Sequence, residues 1–213
     1  MIQSATGIIL RTRPLTETSL IVHWLTPDFG RIATVAKGAR RRKSPFLGKL
    51  DLFYLADFSF SRSRRSELHL LREVSLRETH SALRQNLAAL RQATYAAAFI
   101  EQATEKETPL SAIFELLRGF LGSLCRHKPV PTMVFAFELK LLYELGLNPD
   151  LRKAGLTVGV KRVMQMLMAG NWQASCCLKM TDGQIGELQR FLHGFLIFHL
   201  GYLPQGRTAA LAN

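Results

Sequence analysis

The sequence predicts an α+β protein in which a small β-rich domain precedes a helical domain. Up to residue 79, short runs rich in β-branched and aromatic residues alternate with turn residues, a spacing typical of a small barrel or sandwich. From residue 80 onward, the apolar residues recur with the period of amphipathic helices. Because 213 residues are enough for two small domains, we predict domains at residues 1–79 and 80–213.

Five strands are expected in the first domain, because turn residues divide it into five β-rich runs. Pro14 follows the first run, the turn from Pro27 to Gly30 follows the second, and Gly38 with Ser44-Pro45 follows the third. The predicted strands are TGIIL (6–10), SLIVHWL (19–25), RIATVA (31–36), LFYLADFSF (52–60) and ELHLLREV (67–74).

At least four helices are expected in the second domain, at residues 82–104, 109–127, 131–146 and 182–199. Pro109 and Pro131 suit the first turn of a helix, and Gly146 suits a helix end. The apolar residues between 148 and 180 fit neither period, so no structure is predicted there. The segment GRTAALAN, at residues 206–213, is expected to fray.

Charge is the strongest global signal in the composition. The chain has 28 Lys and Arg against 16 Asp and Glu, a net charge of +12, which predicts a polyanionic partner. Residues 31–49 contain seven basic side chains and no acid, and most of them fall in an expected loop between two strands. These residues are Arg31, Lys37, Arg40, Arg41, Arg42, Lys43 and Lys49.

A flexible basic connection is well suited to follow a phosphate backbone, so we interpret this segment as a nucleic-acid contact. An ordinary solvated loop and a patch for anionic lipids are the alternatives. A second basic cluster, Arg62, Arg64 and Arg65, lies between the fourth and fifth predicted strands, and the two loops could flank a groove. Four aromatic residues near the loops could stack on bases, although core packing is the simpler interpretation: Phe29, Phe46, Phe53 and Tyr54.

Catalysis and metal binding lack their usual signatures. The motifs GxxxxGK[ST], GxSxG and HExxH are absent and the histidines have no metal-ligand spacing, so we predict neither enzyme activity nor a cofactor. Cys125, Cys176 and Cys177 fit neither a disulfide framework nor a zinc site. No apolar run is long enough to span a membrane and no charged leader precedes the first strand, so a soluble cytoplasmic protein is expected.

Several segments resemble the RecO family of bacterial DNA repair and recombination proteins. In the first domain these are GIILRTRP, ETSLIV, GRIATVAKGARR and GKLDLF, and the VAKGAR block is the most specific. The second domain adds FELKLLYELG at residues 137–146 and HLGYLP at residues 199–204. The resemblance covers most of the chain.

The resemblance implies an N-terminal five-stranded OB-fold barrel followed by a helical domain. It also implies a nucleoid-associated protein that binds single- and double-stranded DNA, anneals complementary strands and helps load the recombinase RecA, with RecR, onto strands coated by single-strand-binding protein. RecF is a further implied partner. DNA contacts of the family map to Arg31, Lys37, Arg40, Arg41 and Arg42, and Lys43 and Lys49 join them by position and charge.

The family also docks the acidic tail of single-strand-binding protein on its helical domain, and the matching helix here carries Phe137, Lys140 and Leu141. Core packing is the alternative for Phe137 and Leu141. Two departures stand out: residues 146–162 lack the four-cysteine zinc module of many relatives, and the final segment keeps Arg207 as its only charge. Two rival functions remain from the residues alone, an RNA-binding or ribosome-associated OB-fold module and a scaffold for a protein partner.

Overall fold

Five strands close a barrel in the order β1-β2-β3-β5-β4. The structure is a computed structural model that describes residues 1–152 and 154–212. The β3–β5 pair is parallel and the other four pairs are antiparallel. This arrangement confirms the predicted OB-fold barrel. The strands are β1 (Ile2–Pro14), β2 (Leu20–Thr26), β3 (Gly30–Ala36), β4 (Leu55–Ser61) and β5 (Leu68–Glu78).

The interior of the barrel is filled by alternate residues of each strand, as a pleated strand requires. Trp24 stacks on Phe58 with ring centroids 4.0 Å apart, and its indole nitrogen donates to the Thr34 hydroxyl at 2.9 Å. Along β3, buried and half-buried residues alternate without a break. This alternation sends Arg31 to the outer surface of the barrel while its neighbour Ile32 enters the core.

β1 is longer than predicted because it pairs with two strands. Its first half lies against β4, with Ile2 opposite Ser61, and its second half lies against β2, with Pro14 opposite Leu20. Ile8 pairs with both strands, and the register with β2 shifts just after it, between Ile9 and Arg11. Such a shift bends a strand and lets a small barrel close.

The first compact unit contains residues 1–80 together with residues 104–118. Within it, the amide of Glu107 donates to the carbonyl of Arg31 and the amide of Leu110 donates to that of Pro27, each at 3.0 Å. The sequence pattern did not indicate that residues 104–118 contact the barrel. The domain boundary at residues 79 and 80 stays a prediction.

The second compact unit contains residues 81–103 and the chain from Gly119 onward. Its central helix is α3, in which every residue from Thr132 to Leu139 is buried. The segment 148–180, for which no structure was predicted, contains two helices that begin at side-chain caps, Thr157 and Asn171. A short 3₁₀ helix (Ser81–Gln85) begins the unit. The α-helices of the described chain are α1 (Leu87–Ala103), α2 (Ser111–Arg126), whose first half belongs to the first unit, α3 (Pro131–Glu144), α4 (Val158–Ala169), α5 (Trp172–Cys177), α6 (Asp182–Leu200) and α7 (Arg207–Leu211).

The C-terminal segment is folded, so the prediction of a frayed tail is wrong for residues 206–212. Arg207 is buried against Glu138, with its Nε 2.6 Å from Oε1 and its Nη2 3.0 Å from Oε2. The Tyr95 hydroxyl donates to the same Oε1 at 2.5 Å. The sequence around Arg207 gave no sign of this role, because its partner lies 69 residues earlier in the chain.

No helix within the described residues is both long and apolar enough to cross a bilayer.

Candidate nucleic-acid interface

Five of the predicted contact residues project from one loop, which we name the basic loop (residues 37–49). Its exposed cations are Lys37, Arg40, Arg41, Arg42 and Lys43, while Lys49 is half-buried. A series of turns shapes the loop, and the Phe46 ring anchors it in the barrel core. The loop therefore holds its charges on a defined backbone.

The basic loop rests on the connection between β1 and β2. The amide of Arg40 donates to the carbonyl of Thr18 at 3.0 Å, and its guanidinium donates to the carbonyl of Thr16 at 3.3 Å. The amide of Gly38 donates to the Ser19 hydroxyl at 3.5 Å. These contacts place both connections at the same end of the barrel.

The second basic cluster lies at the opposite end. β3 and β5 are parallel, and β4 is antiparallel to both β1 and β5. The β4–β5 connection therefore lies at the same end of the barrel as the β2–β3 turn. Arg64 and Arg65 are exposed there, beside Arg62. The two basic clusters therefore lie at the two ends of the outer surface of β2 and β3, which is where OB folds bind oligonucleotides.

Between the two ends, cations surround His23 on the outer surface of β1, β2 and β3. Register places His23 opposite Arg11 on one side and Ala33 on the other, with Arg13 opposite Ile21. Burial and the charges of four cations lower the pKa of His23 to about 4; the four, in order of effect, are Arg11, Arg13, Arg31 and Lys106. We name these five residues the basic face.

The basic face is the part of the interface that sequence reasoning missed. Of its members, only Arg31 was predicted as a contact residue. Arg11 and Arg13 are two residues apart near the end of β1, so both side chains lie on the same side of the strand. This spacing could have indicated their membership of the basic face. Lys106 gave no such signal, since only folding brings it beside Arg31.

Arg31 itself is already engaged by the protein. Its Nε donates to the Thr104 hydroxyl at 2.8 Å, and its Nη2 donates to the Thr104 carbonyl. It lies near the start of β3, six residues before Lys37, a separation of about 20 Å along an extended strand. Arg31 therefore belongs to the basic face and not to the basic loop.

Two acidic residues reduce the positive charge at the β4–β5 end. Glu107 binds Arg62 with an oxygen-to-nitrogen distance of 2.6 Å, and its other oxygen lies 3.5 Å from Nε2 of His69. Lys106 pairs with Glu67 at 2.6 Å. The side chains of Arg62 and Lys106 are more than half exposed, so a phosphate could compete with the carboxylates for them.

The aromatic residues near the basic loop belong mainly to the core. Phe46 and Phe53 are buried, which excludes them from stacking on bases in this structure. Phe29 lies edge-on to Phe60, with ring centroids 5.6 Å apart. Tyr54 is half-buried and packs against the same core.

Two of the three predicted partner-binding residues are also core residues. Phe137 and Leu141 are fully buried, so neither offers a surface to a peptide in this structure. Lys140 donates from Nζ to the carbonyls of Met168 and Gly170, each at 2.8 Å, and burial lowers its pKa. It therefore stabilises the C-terminal end of α4 as a cation near a helix terminus does.

Within residues 1–152 and 154–212, no three His, Cys, Asp or Glu side chains are grouped so that they could hold a metal ion. Cys125, Cys176 and Cys177 take part in no disulfide bond within the described residues. Burial, with a smaller effect of Cys177, raises the pKa of Cys176, so this thiol is a weaker nucleophile than an ordinary one.

Two family models match the chain. The model described as recombination protein O N terminal matches residues 1–80, and the one described as recombination protein O C terminal matches residues 84–157. The chain belongs to the RecO family. The first match spans all five barrel strands, and the second spans helices α1 to α3.

Individual RecO proteins are about one third identical to this chain over the residues that align. DNA repair protein RecO of Rhodopirellula baltica is 34% identical over 143 residues, which are 67% of this chain and 53% of that protein. The RecO protein of Anaeromyxobacter dehalogenans (strain 2CP-C) is 33% identical over 157 residues, 72% of this chain and 62% of its own. The RecO protein of Listeria monocytogenes serotype 4b (strain CLIP80459) is 30% identical over 150 residues, which are 70% of this chain and 58% of that protein. The chain thus spans less than two thirds of the length of these RecO relatives.

Proposed function

We propose that this chain is a DNA repair and recombination mediator that binds single- and double-stranded DNA through the basic face and the basic loop. The observation that carries the binding role is the clustering of four cations around His23 on the outer surface of β1 to β3. Membership of the RecO family supports the role in repair, since the compared relatives are all DNA repair proteins by name.

The geometry suits a single strand that crosses the face from the basic loop to the β4–β5 connection. Phosphates would contact Arg13 and Arg11 on the way, because phosphate contacts to Arg and Lys supply most of the affinity for any sequence. The His23 ring is neutral near pH 7, since its pKa is about 4, so it offers a flat surface to a base without adding charge.

Strand annealing and recombinase loading belong to the same proposal. A cationic surface lowers the repulsion between two strands, and base pairing supplies the free energy, so annealing needs no catalytic group. The proposed partners are RecR and single-strand-binding protein, with RecF and RecA as further members of the pathway. Their support is family membership, because the predicted tail-binding residues Phe137 and Leu141 are buried.

The test is a charge-reversal experiment on the intact chain. Replacement of Arg40, Arg41 and Arg42 by Glu is expected to weaken single-stranded DNA binding about tenfold or more, irrespective of base sequence, and to flatten its salt dependence. Arg13→Glu tests the basic face separately. The matched control reverses three exposed cations of the second compact unit, Arg162, Lys179 and Arg190. Fluorescence anisotropy of a labelled oligonucleotide at several salt concentrations measures both effects.

Equal loss in the control variant would contradict a binding role of the barrel surface. Competition with RNA of the same sequence addresses the alternative, an RNA-binding or ribosome-associated OB-fold module, because a protein that reads RNA requires a contact to the 2′-hydroxyl. RNA that competes much better than DNA would favour that alternative. Annealing of strands precoated with single-strand-binding protein then separates a mediator from a simple binder.

A further inference from the structure

The segment that joins α1 to α2 lies beside the first residues of β3. Strand β5 pairs with β3 only from Ala33 to Val35, and before this stretch Arg31 pairs instead with Lys106. We name residues 104–110 the return segment. The return segment therefore takes the place beside Arg31 that β5 leaves open.

Backbone hydrogen bonds hold the return segment against the barrel. The amide of Glu107 donates to the carbonyl of Arg31, and the amide of Leu110 donates to the carbonyl of Pro27, each at 3.0 Å. The hydroxyl of Ser111, at the start of α2, donates to the same Pro27 carbonyl at 3.2 Å. Because these acceptors are backbone atoms of the barrel, the position of the return segment does not depend on surface ion pairs alone.

Thr104 begins the return segment and binds the guanidinium of Arg31 with two oxygens. The Nε of Arg31 donates to the Thr104 hydroxyl at 2.8 Å, and its Nη2 donates to the Thr104 carbonyl. The two donors lie on one edge of a planar, rigid group, so two bonds to that edge fix the orientation of the plane. Both acceptors are neutral, and the charge of Arg31 remains effective: burial and four charges, that of Arg31 among them, lower the pKa of His23 to about 4.

The fixed guanidinium of Arg31 has a consequence for binding. A long side chain that is mobile in the free protein loses rotamer freedom when a phosphate immobilises it, and this loss weakens binding. Arg31 has already lost this freedom on folding, because the two oxygens of Thr104 hold its guanidinium. In the basic loop, by comparison, the guanidinium of Arg40 donates to the carbonyl of Thr16 across a longer distance, 3.3 Å. A phosphate at Arg31 therefore meets a cation that is already oriented.

We propose that Thr104 is a positioning residue of the nucleic-acid interface, which orients the Arg31 guanidinium on the basic face for a phosphate of the bound strand. The inference rests on the proposed function, since it needs a strand on the basic face. In this role Thr104 acts through Arg31 and does not itself bind the phosphate. Its hydroxyl can be removed by substitution, whereas its carbonyl cannot.

The experiment measures the affinity of the intact chain for a labelled thymine oligonucleotide by fluorescence anisotropy at low salt. Thr104→Val removes the hydroxyl at nearly constant size and is expected to weaken binding about two- to fivefold, part of the cost of immobilising one long side chain. Thr104→Ser keeps the hydroxyl and is expected to bind as the wild-type chain does. Thr108→Val is the matched control, since the Thr108 hydroxyl donates within the return segment, to the Lys106 carbonyl at 3.4 Å.

A double-mutant cycle tests whether Thr104 acts through Arg31. Arg31→Met removes the guanidinium, keeps a long side chain and should itself weaken binding. In the Arg31→Met background, Thr104→Val is expected to have no further effect on affinity, because the group that it orients is gone. A general effect of Thr104 on the fold would lower affinity in both backgrounds.

The outcomes separate the positioning role from the proposed function. An unchanged affinity of Thr104→Val, an equal loss in Thr104→Ser or Thr108→Val, or a loss that persists in the Arg31→Met background would overturn the positioning role and leave strand binding intact. Failure of the wild-type chain to bind the oligonucleotide at low salt would overturn both proposals. A thermal unfolding midpoint of Thr104→Val at or above that of Thr108→Val shows that a lower affinity does not come from misfolding.

Discussion

Glu138 and Arg207 form a buried ion pair between α3 and α7 in the second compact unit. The side chains are 0% and 3% exposed, and two hydrogen bonds of 2.6 and 3.0 Å join them. Burial alone would lower the pKa of Arg207, but the hydrogen bonds and charge of Glu138 raise it. Burial and the same carboxylate raise the pKa of Tyr95. The pair thus ties the end of the described chain to its central helix.

Removal of one member of the pair should destabilise the protein strongly. Arg207→Met leaves the Glu138 carboxylate buried without its cation, which we expect to cost about 3–5 kcal/mol in the free energy of unfolding. Urea denaturation followed by circular dichroism measures this change. The triple variant Tyr95→Phe, Glu138→Leu and Arg207→Met should recover most of the loss, because no uncompensated polar group then remains. A triple variant less stable than Arg207→Met alone would contradict this account.

The pKa of His23 should depend on bound nucleic acid. In the free protein, burial and nearby cations hold this pKa at about 4, so the ring binds a proton less readily than in the unfolded chain. The neutral His23 ring therefore contributes fully to the free energy of unfolding above pH 6.5, and this contribution is lost as the pH falls from 6.5 toward 4. Phosphates bound at Arg11 and Arg13 would offset the two charges that lower the pKa most, and the pKa should rise.

A higher pKa in the complex means that binding takes up a proton. Affinity for single-stranded DNA should therefore increase as the pH falls below 6, beyond any change in a His23→Gln variant. Nuclear magnetic resonance titration of the His23 ring, with and without an oligonucleotide, measures the two pKa values directly. An unchanged His23 pKa in the complex would mean that the strand does not lie on the basic face.

Glu107 should compete with phosphate for Arg62. Glu107→Gln removes the charge that pairs with Arg62 at 2.6 Å, and we expect affinity for single-stranded DNA to rise about two- to fivefold, the range of an exposed ion pair. Glu115→Gln is the matched control, since Glu115 also pairs with an exposed arginine, Arg118, at 2.9 Å. Anisotropy titrations at low salt compare the two variants. An equal rise in both would indicate a general charge effect.

Gly30 should tolerate no side chain, because residues 104–118 lie directly against it. A Cβ at Gly30 would overlap the carbonyl of Thr108, and the residue has φ of +62°. We expect Gly30→Ala to cost about 3–5 kcal/mol in the free energy of unfolding. Gly48 has a similar φ, +72°, with nothing within 4 Å, so Gly48→Ala should cost only about 1–2 kcal/mol. Chemical denaturation of both variants checks the difference.

The barrel was predictable because its pattern is local. Turn residues and alternation along β2 and β3 located these strands to within one residue at either end. The structure of the segment 148–180 was not predictable, because α4 and α5 are both short and Gly170 lies between them. Short helices depend on tertiary contacts more than on their own periodicity.

The candidate site was predictable only in part, because some of its residues come together only on folding. The charge of the basic loop is contiguous in sequence, whereas the basic face joins Arg11, Arg31 and Lys106 through strand register and a returning segment. Register cannot be derived from composition. The burial of Phe137, Leu141 and Arg207 likewise depends on which face of a helix meets its neighbours.

The parallel pairing of β3 with β5 has a mechanical consequence. Only three residue pairs, from Ala33 opposite Leu68 to Val35 opposite Leu70, join these strands, whereas β1 and β4 share seven. Parallel ladders are also slightly weaker per residue than antiparallel ones. Under tension the cylinder would open along this seam into a five-stranded sheet still joined through β1 and β4, with the arginines of β1 and β3 still in register.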